Sequence, residues 1–394
     1  MSAGAGRRLL MVEQGGRGGV ADYTAELTVA LAAEGWRVTL ATAADHRYPP
    51  ADGVTIAPLF HYTRGDSRLA RGLRARGLGK PINALRFLAA LPRLMGLAAR
   101  ADIVHTQGWE VSPLGLVAVV GLRLAGARIV QTSHNTFERG RPFARTNRAL
   151  TRLTACTIVH TQADLERVSK QWAAGNADAH VVVIPHGEYG GLARTGGSAD
   201  REQARADLGI EPDTPVTLMF GQLRLDKGLD QLLAALERVP GLHLLIGGQD
   251  GGALAASAAQ LQSPALAGRV TLREGFLDMQ EAAQLFAATD TVVLPYAVAS
   301  QSGVLLLAYG FHRPVVVYPV GGLVEAVDDG ETGWICSRPD VEGLVEALGA
   351  SVEGGWTECR RRGEAGARLA ETRFAWSTIA ASTAALYEEV LGRV

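Results

Sequence analysis

The chain has 394 residues, more than one domain usually holds, and its 47% hydrophobic and 20% charged residues are typical of a globular protein with two domains. Its net charge is −1, but the charges are unevenly distributed. The first half, residues 1–195, is basic with 24 Lys and Arg against 14 Asp and Glu, and the second half is acidic. Three scattered cysteines exclude a disulfide framework, and the longest apolar stretch, residues 111–121, is too short to span a bilayer. Without a signal peptide before the first strand, these features predict a cytoplasmic protein.

The first elements read as strand, glycine loop, helix and strand. Apolar runs over residues 7–12 and 36–41 predict the strands, and residues 20–34 predict the helix between them. The loop contains Gly16, Gly18 and Gly19 but lacks the G-x-G-x-x-G spacing, and no acidic residue ends the second strand. This is a nucleotide-binding type of unit without a dinucleotide fingerprint. Its glycines either make a tight turn or let a ligand approach the backbone.

The stretch from Arg64 to Arg100 is basic and amphipathic. Nine Arg and Lys residues alternate there with leucines, and Asp66 is the one acidic residue among them. Such a segment can lie on an anionic membrane surface, or it can be a solvated helix face whose leucines pack in the core. The first alternative predicts peripheral contact with the inner face of a membrane.

Short β-branched runs follow at residues 102–106, 128–133, 156–160 and 181–184, and they predict a parallel sheet with helices on both faces. Ligands of such sheets bind at the carboxyl ends of the strands. The histidines at these ends are His105, His134, His160 and His186. His134 is the best placed of them, because Arg139 and Arg141 follow it. Glu110 follows the first of these strands.

A polar stretch over residues 187–211 predicts a linker, after which strands and helices alternate again. Arg224 and Lys227 follow the strand at 215–220, and the turn Gln301-Ser302-Gly303 opens an apolar helix. Arg and Lys bind phosphate oxygens, and a helix N-terminus offers N–H groups to an anion. The second half therefore predicts a diphosphate site. We expect an N-terminal domain over residues 1–195, a C-terminal domain over 196–375, and a final helix over 376–394 that packs back toward the first domain.

Taken together, the chain resembles the GT-B glycosyltransferases and, within them, family 4. The motifs are GGRGGVADYTAEL, DIVHTQ, TSHN, VVVIPHG, FGQLRLDKGLD and the segment from GFHRP to GETGW, so the resemblance covers nearly the whole chain. It implies two Rossmann-like parallel-sheet domains that face each other across a cleft. The N-terminal domain would bind the acceptor, and the C-terminal domain a nucleoside-diphosphate sugar.

The resemblance also implies site residues. The catalytic candidates are His134 beside the transferred sugar, and Arg224 and Lys227 on the diphosphate. The donor-binding candidates are Gly16, Gly18, Gly19, Gln301, Ser302, Gly303, Val304 and Glu325, of which Glu325 would accept a hydrogen bond from a ribose or sugar hydroxyl. Glu110, Arg139 and Arg141 are candidates on the acceptor side.

Two departures mark a divergent branch of that family. The family's paired glutamates would fall at Ala299 and Leu307, which are not acidic, and Gln222 stands where the family commonly has an arginine. Arg224 is the expected substitute for that arginine.

The resemblance implies transfer of a hexosyl group to a hydroxyl of a saccharide, a glycolipid or a small-molecule glycoside, with retention of configuration. No metal or other cofactor and no nucleic acid is expected, and the chain contains no Asp-x-Asp triplet of the kind that holds a metal in glycosyltransferases of the other major fold. An inverting enzyme would need a general base, for which Glu110 or Glu13 is placed. The alternatives are a sugar-nucleotide epimerase or hydrolase on the same fold, and a sugar-nucleotide-binding protein without catalysis.

Overall fold

The computed structural model describes residues 6–63, 75, 77–109, 113–136, 141–173, 179–197 and 199–392. The chain forms two compact units, the first comprising Met1–Gly187 with Trp376–Val394, and the second Glu188–Ala375. Each unit is a parallel sheet covered by helices, so the predicted α/β class with two parallel sheets is confirmed.

The first unit is built on a sheet whose described strands all pair in parallel. Its strands are β1 (Arg8–Val12), β2 (Arg37–Ala43), β3 (Val54–Phe60), β4 (Ile103–Gln107), β5 (Ile129–Thr132), β6 (Cys156–Val159) and β7 (Val181–Val183). Their order is β3-β2-β1-β4-β5-β6-β7, so the chain reverses direction along the sheet between β1 and β4. This reversal opens a crevice at the carboxyl ends of β1 and β4, where ligands of such sheets bind.

Helices cover both faces of this sheet. They are α1 (Gly19–Ala33), α2 (Gly79–Ala98), α3 (Pro113–Leu124), α4 (Arg141–Leu153) and α5 (Gln162–Gln171). In β1, whose two faces are both buried, the residues from Leu9 to Val12 are apolar and at most 1% exposed.

The second unit holds a similar sheet within its described residues, again with parallel pairing. Its strands are β8 (Val216–Phe220), β10 (His243–Gly248), β12 (Val270–Glu274), β13 (Thr291–Leu294), β14 (Val315–Val317) and β15 (Gly333–Ile335), in the order β12-β10-β8-β13-β14-β15. A separate short pair joins β9 (Leu223–Arg224) to β11 (Asp250–Gly251). The reversal here lies between β8 and β13, which places the crevice at their carboxyl ends.

The helices of the second unit are more varied in length. They are α6 (Gly190–Thr195), α7 (Arg201–Leu208), α8 (Leu229–Arg238), α9 (Ala253–Ala256), α10 (Ala258–Leu261), α11 (Met279–Ala288), α12 (Gly303–Gly310) and α13 (Val341–Arg373), which breaks at Gly355. The last helix of the chain, α14 (Trp376–Gly392), belongs to the first unit, where Ile379 and Tyr387 share a core with Leu27 and Leu31 of α1. None of the helices in the described ranges is both long and apolar enough to cross a bilayer.

The linker predicted over residues 187–211 is wrong. Two helices lie there, and α6 packs on α12, which is why the chain enters the second unit at Glu188 rather than near 195. The polar composition was misleading because Arg205 of α7 is buried, with 1% of its surface exposed, and bonds the Asp290 carboxylate. Because charged residues such as Arg205 can be buried as ion pairs, a helix that faces the core can have the polar composition that is usual for a solvated loop.

Candidate active site

The glycine loop after β1 is folded around one buried carboxylate. The oxygens of Glu13 accept hydrogen bonds from the N–H groups of Gly15 and Gly16 at 2.5 and 2.6 Å, and from the Tyr48 hydroxyl at 2.7 Å. Gly16 has a φ of 68°, which suits this tight turn. Two of the loop's N–H groups are therefore directed at Glu13. Helix α1 begins at Gly19, and no side chain of the described residues caps its start. The N–H groups of its first turn can therefore donate hydrogen bonds to a ligand.

Histidines come together where β5, β6 and β7 end. The imidazole of His134 lies 3.4 Å from that of His160, measured between Nδ1 and Nε2, and its Nε2 lies 2.9 Å from the Gln107 amide oxygen. Tyr23 of α1 packs its ring 4.8 Å from the rings of both His134 and His186. Burial, with the neighbouring histidines, lowers the pKa of His134 well below its ordinary value. Burial thus disfavours the charged form of the imidazoles in this cluster, which lies beside α1.

In the second unit, Arg224 and Asp226 form a bidentate pair. The guanidinium donates from Nε and Nη2 to the two carboxylate oxygens at 2.8 and 2.6 Å, and 45% of the Arg224 side chain is exposed. Asp226 therefore orients Arg224 and neutralises part of its charge. With Lys227, the segment still carries one excess positive charge.

Lys227 is the more buried of the two cations. Its Nζ lies 3.3 Å from the centre of the Tyr296 ring, a cation–π contact. Burial, followed by the nearby Arg224, lowers the pKa of Lys227 to about 8, while burial raises the pKa of Tyr296 to about 12. The ammonium is held in one place over a neutral ring.

The loop before α12 lies against the same segment. Ser302 caps α12, its hydroxyl accepting from the Leu305 N–H at 3.3 Å, and the Asp226 carbonyl accepts from the Ala297 N–H at 3.0 Å. Gly228 fits there because a Cβ would come within 2.1 Å of the Pro295 carbonyl oxygen. The structure thus brings the predicted phosphate-binding stretches around Arg224, Lys227 and Ser302 together at the ends of β8 and β13.

The neighbouring polar candidates are placed differently. The side-chain oxygen of Gln301 is buried and has no hydrogen-bond partner among the described residues. Gly321 has a φ of 51° and packs on the Ala299 carbonyl, where a Cβ would come within 1.8 Å of the oxygen. Glu325 follows this turn and is half-buried. Among these candidates, Gln301 is therefore the residue whose side-chain oxygen could still accept a hydrogen bond.

The two positions at which the resemblance places the family's paired glutamates are buried. Ala299 and Leu307 are each 6% exposed and lie in the main core of the second unit. A carboxylate at either position would have to be buried in that core, at a large desolvation cost.

The three acceptor-side candidates stay predictions. Glu110 and Arg139 lie outside the described residues, and Arg141 is the first residue of α4, its side chain not among those described.

Sequence reasoning missed the groups that support the candidates. No role was predicted for Gln107, which is the last residue of β4, or for Asp226 and Tyr296. A carboxylate between two predicted phosphate-binding cations, as in Arg224-Leu225-Asp226-Lys227, is a signal that could have found Asp226.

Comparison with known proteins places both units in known families. Residues 17–187 match Glycosyltransferase Family 4, and residues 214–353 match a family described as glycosyl transferases group 1. A D-inositol 3-phosphate glycosyltransferase of Segniliparus rotundus is 28% identical, over 96% of this chain and 86% of the relative. The chain is a glycosyltransferase with the GT-B fold, and it resembles family 4.

The other matches agree with this assignment. A D-inositol 3-phosphate glycosyltransferase of Mycobacterium marinum is 33% identical over 49% of this chain and 42% of that protein. A solved sucrose-phosphate synthase from Thermosynechococcus elongatus shares the fold, with a TM-score of 0.77 and 22% identity over 98% of this chain and 100% of that one. A crystal structure of Anabaena HepE in complex with UDP and glucose has a TM-score of 0.72 and 19% identity, with 97% and 100% covered. The predicted family, fold and enzyme class of this glycosyltransferase are confirmed.

Proposed function

We propose that this glycosyltransferase transfers a hexosyl group from a nucleoside-diphosphate sugar to the hydroxyl of a saccharide, a glycolipid or a small-molecule glycoside. The observation that carries the proposal is the joint position of Arg224, Lys227 and the start of α12 at the ends of β8 and β13. Two cations and a helix N-terminus in one crevice suit a diphosphate. Anabaena HepE, with the same fold, was solved with UDP and with UDP-glucose.

Each group has a part in the proposed reaction. Lys227 and Arg224 stabilise the charge that develops on the departing nucleoside diphosphate. Gln301 uses its buried side-chain oxygen to accept a hydrogen bond from a donor hydroxyl, and Glu325 is a second acceptor of this kind. We propose that the start of α1 and His134 contact the transferred sugar, and that Glu110, Arg139 and Arg141 bind the acceptor.

Binding of nucleoside diphosphates tests the donor assignment directly. A diphosphate at about 100 times its dissociation constant should stabilise the folded protein by about 2.7 kcal/mol. We expect one member of a panel of UDP, GDP, ADP and CDP to raise the unfolding temperature by several degrees, and the matching nucleoside to do so much less. A panel without any shift contradicts the proposed site. Release of free or isomerised sugar without an acceptor would instead indicate the hydrolase or epimerase.

We propose that the transfer is metal-independent and retains the anomeric configuration. Arg224 and Lys227 supply the positive charge that the leaving group needs, and the family resemblance supports retention. Activity should therefore survive EDTA treatment followed by desalting, and the product should keep the anomeric configuration of the donor by NMR. A loss of activity that Mg²⁺ restores, or an inverted product, contradicts the respective part of this proposal.

The affinity for a nucleoside diphosphate should depend on pH through Lys227. Since the pKa of Lys227 is lowered to about 8, the free enzyme loses this cation as the pH rises above that value. We expect the dissociation constant measured by calorimetry to rise between pH 8 and 10, with net proton uptake on binding at pH 9. Lys227→Arg, which stays charged, should remove both effects. A dissociation constant that stays flat for the unmodified enzyme would contradict a role for Lys227 on the diphosphate.

Gly19→Ala tests whether the donor approaches the start of α1. A Cβ at Gly19 meets no heavy atom within 4 Å, so the protein should keep its unfolding temperature. We expect turnover to fall by at least about tenfold, because a methyl group would stand where the donor meets the backbone. Gly16→Ala is the matched control, since its φ of 68° and a contact of 3.0 Å with His46 should lower stability instead. Unchanged turnover in Gly19→Ala would show that no ligand approaches there.

We also propose that the protein is cytoplasmic and docks on anionic membranes through α2 and α3. Residues 64–74 and 76 of the predicted basic segment lie outside the described part of the chain. Within that part, the two helices expose large apolar side chains among Lys80, Arg86, Arg93 and Arg123. The exposed side chains are Leu85, Leu88, Val117, Val120 and Leu124. Exposed apolar side chains and cations on the same two helices suit an anionic lipid surface.

Vesicle sedimentation tests this surface. We expect binding to anionic vesicles at low salt that high salt weakens, because the attraction between cations and lipids is screened. Leu85→Ser with Leu88→Ser should weaken it several-fold, whereas Phe276→Ser, at an exposed apolar residue of the second unit, should not. No binding at low salt would end the membrane proposal.

A further inference from the structure

A cavity of about 490 Å³ lies within the first unit, at the amino ends of β1, β2 and β3. Arg8 and Arg37 are the first residues of β1 and β2, and Arg100 follows the end of α2. These three arginines line the cavity, and none of the acidic residues in the described ranges does. Because the strands are parallel, the cavity and the crevice at their carboxyl ends lie at opposite edges of the sheet. The five residues of β1, a length of roughly 16 Å, separate the two edges.

The register of the strands places two of these arginines side by side. Arg8 pairs with Arg37, so both side chains leave the same face of the sheet, on strands about 4.8 Å apart. Two residues further along the strands, the next row on that face consists of Leu10, Thr39 and Thr55. The cavity therefore has a floor that carries two hydroxyl groups, with two guanidinium groups beside it.

Helix α2 leaves this part of the sheet uncovered. Its Leu94 packs in one core with Leu10, but the helix ends at Ala98, before it reaches the first residues of the strands. Thr39 is consequently half-buried, although β2 has a neighbouring strand on both sides. Gly53, at the start of β3, adds no side chain that would fill the space. The uncovered face is thus a polar cavity and not an extension of the core.

The positive charge at the cavity is only partly balanced. Asp102 accepts a hydrogen bond from the Arg8 N–H at 2.7 Å, and its carboxylate lies 3.5 Å from the Arg8 guanidinium. Over the ranges that the structure describes, the side chains of Arg37 and Arg100 form no ion pair and no hydrogen bond. Three guanidinium groups therefore share one carboxylate, and Arg8 and Arg37 repel each other across neighbouring strands. An anion bound between them would remove this repulsion.

Phosphate suits this set of donors. Arginine binds phosphate oxygens through paired N–H groups, and the hydroxyls of Thr39 and Thr55 can donate to the remaining oxygens. The cavity is larger than a phosphate group alone, and the apolar side chains of Leu97 and Ala101 line another part of it. We propose that this cavity binds the phosphate group of a phosphate ester, whose organic part lies against Leu97 and Ala101.

The ester belongs to a soluble metabolite or to a phospholipid headgroup, because both present the same phosphate chemistry. The site does not depend on the proposed transfer reaction, since it lies at the other edge of the sheet. Its occupancy is therefore measured without a sugar nucleotide and without turnover.

Titration calorimetry with glycerol 3-phosphate tests the site on the full chain. We expect the unmodified protein to bind this ester, and Arg37→Gln combined with Arg100→Gln to weaken binding by at least about tenfold, because hydrogen bonds from charged donors are lost. Both side chains are exposed, so the variant should fold. Arg152→Gln, which changes an exposed arginine of α4 outside the cavity, should leave the affinity unchanged. Absence of binding to the unmodified protein overturns the proposal.

A second control separates the cavity from the proposed diphosphate site. Arg224→Ala combined with Lys227→Ala changes only the second unit, so it should leave the affinity for glycerol 3-phosphate unchanged. If that variant loses binding while the Arg37 and Arg100 variant retains it, the ester binds at the diphosphate site and the cavity proposal is wrong. The proposed transfer reaction would still stand in that case.

The stability of Arg37→Gln provides a second readout. In a buffer without phosphate, the substitution removes the repulsion between Arg8 and Arg37, so the urea midpoint should stay the same or rise. Saturating glycerol 3-phosphate should then raise the midpoint of the unmodified protein more than that of the variant. A variant that is less stable than the unmodified protein without ligand would assign Arg37 a structural role and overturn the proposal.

Vesicle sedimentation distinguishes the two sources of the ester. Vesicles containing phosphatidic acid or phosphatidylserine are compared at matched surface charge. If Arg37→Gln with Arg100→Gln weakens binding to phosphatidic acid several-fold more than binding to phosphatidylserine, the ester is a lipid headgroup. Equal effects on the two lipids, together with the calorimetric loss, assign the site to a soluble phosphate ester.

Discussion

Arg224→Ala combined with Lys227→Ala is expected to lower turnover by roughly 10³-fold or more. Each group provides charge where the leaving diphosphate becomes more negative, and removal of one such donor typically costs about 10²- to 10³-fold. Lys227 is held over the Tyr296 ring and Arg224 is oriented by Asp226, so neither needs to reorganise during the reaction. Steady-state rates with the donor found in the nucleotide panel provide the measurement.

Matched controls separate this effect from loss of surface charge. Arg238→Ala removes an exposed arginine that pairs with Glu342 in the same unit, and it should leave turnover unchanged. Asp226→Asn should keep both cations but loosen Arg224, with an intermediate loss. The site assignment is wrong if the double variant, folded by circular dichroism, turns over at the rate of the unmodified enzyme.

Asp290→Asn is expected to destabilise the second unit by about 3–5 kcal/mol. The carboxylate accepts hydrogen bonds from Arg205 through both oxygens, from Arg201, and from the Val216 N–H at 2.8 Å. Arg205 is 1% exposed, so the substitution leaves a buried guanidinium without its countercharge, which carries a cost of this size. Urea unfolding should show a midpoint lower by roughly 1–2 M.

The exposed ion pair of Arg238 and Glu342 serves as the control for the buried pair of Arg205 and Asp290. Its side chains are 47% and 53% exposed, so Glu342→Gln should change the unfolding free energy by at most about 1 kcal/mol. Similar midpoints for Asp290→Asn and Glu342→Gln would contradict the view that Asp290 holds α7 to the sheet. Such a result would also reopen the question of why the polar residues 200–211 fold as part of the unit.

The sequence predicted those features that depend on residues close together in the chain. The strands β1, β8 and β13 are mostly apolar, as strands buried on both faces are, and each was predicted within about two residues. The loops that follow these strands meet at one edge of each sheet, because parallel strands end on the same side. Arg224, Lys227 and Ser302 could therefore be grouped before their coordinates were known.

The sequence alone thus determined the fold class, the two sheets and the positions of the loops that are predicted to bind phosphate, since periodicity and strand-end placement are local properties. Only the tertiary structure decided what each side chain bonds to. The N–H groups of two glycines bond to Glu13, Asp226 binds Arg224, and Gln107 lies between His105 and His134. The polar stretch with Arg205 became a packed helix for the same reason, because its partner Asp290 lies 85 residues away. A contact between residues far apart in the chain produces no periodic pattern in the sequence around either residue, so only the tertiary structure shows it.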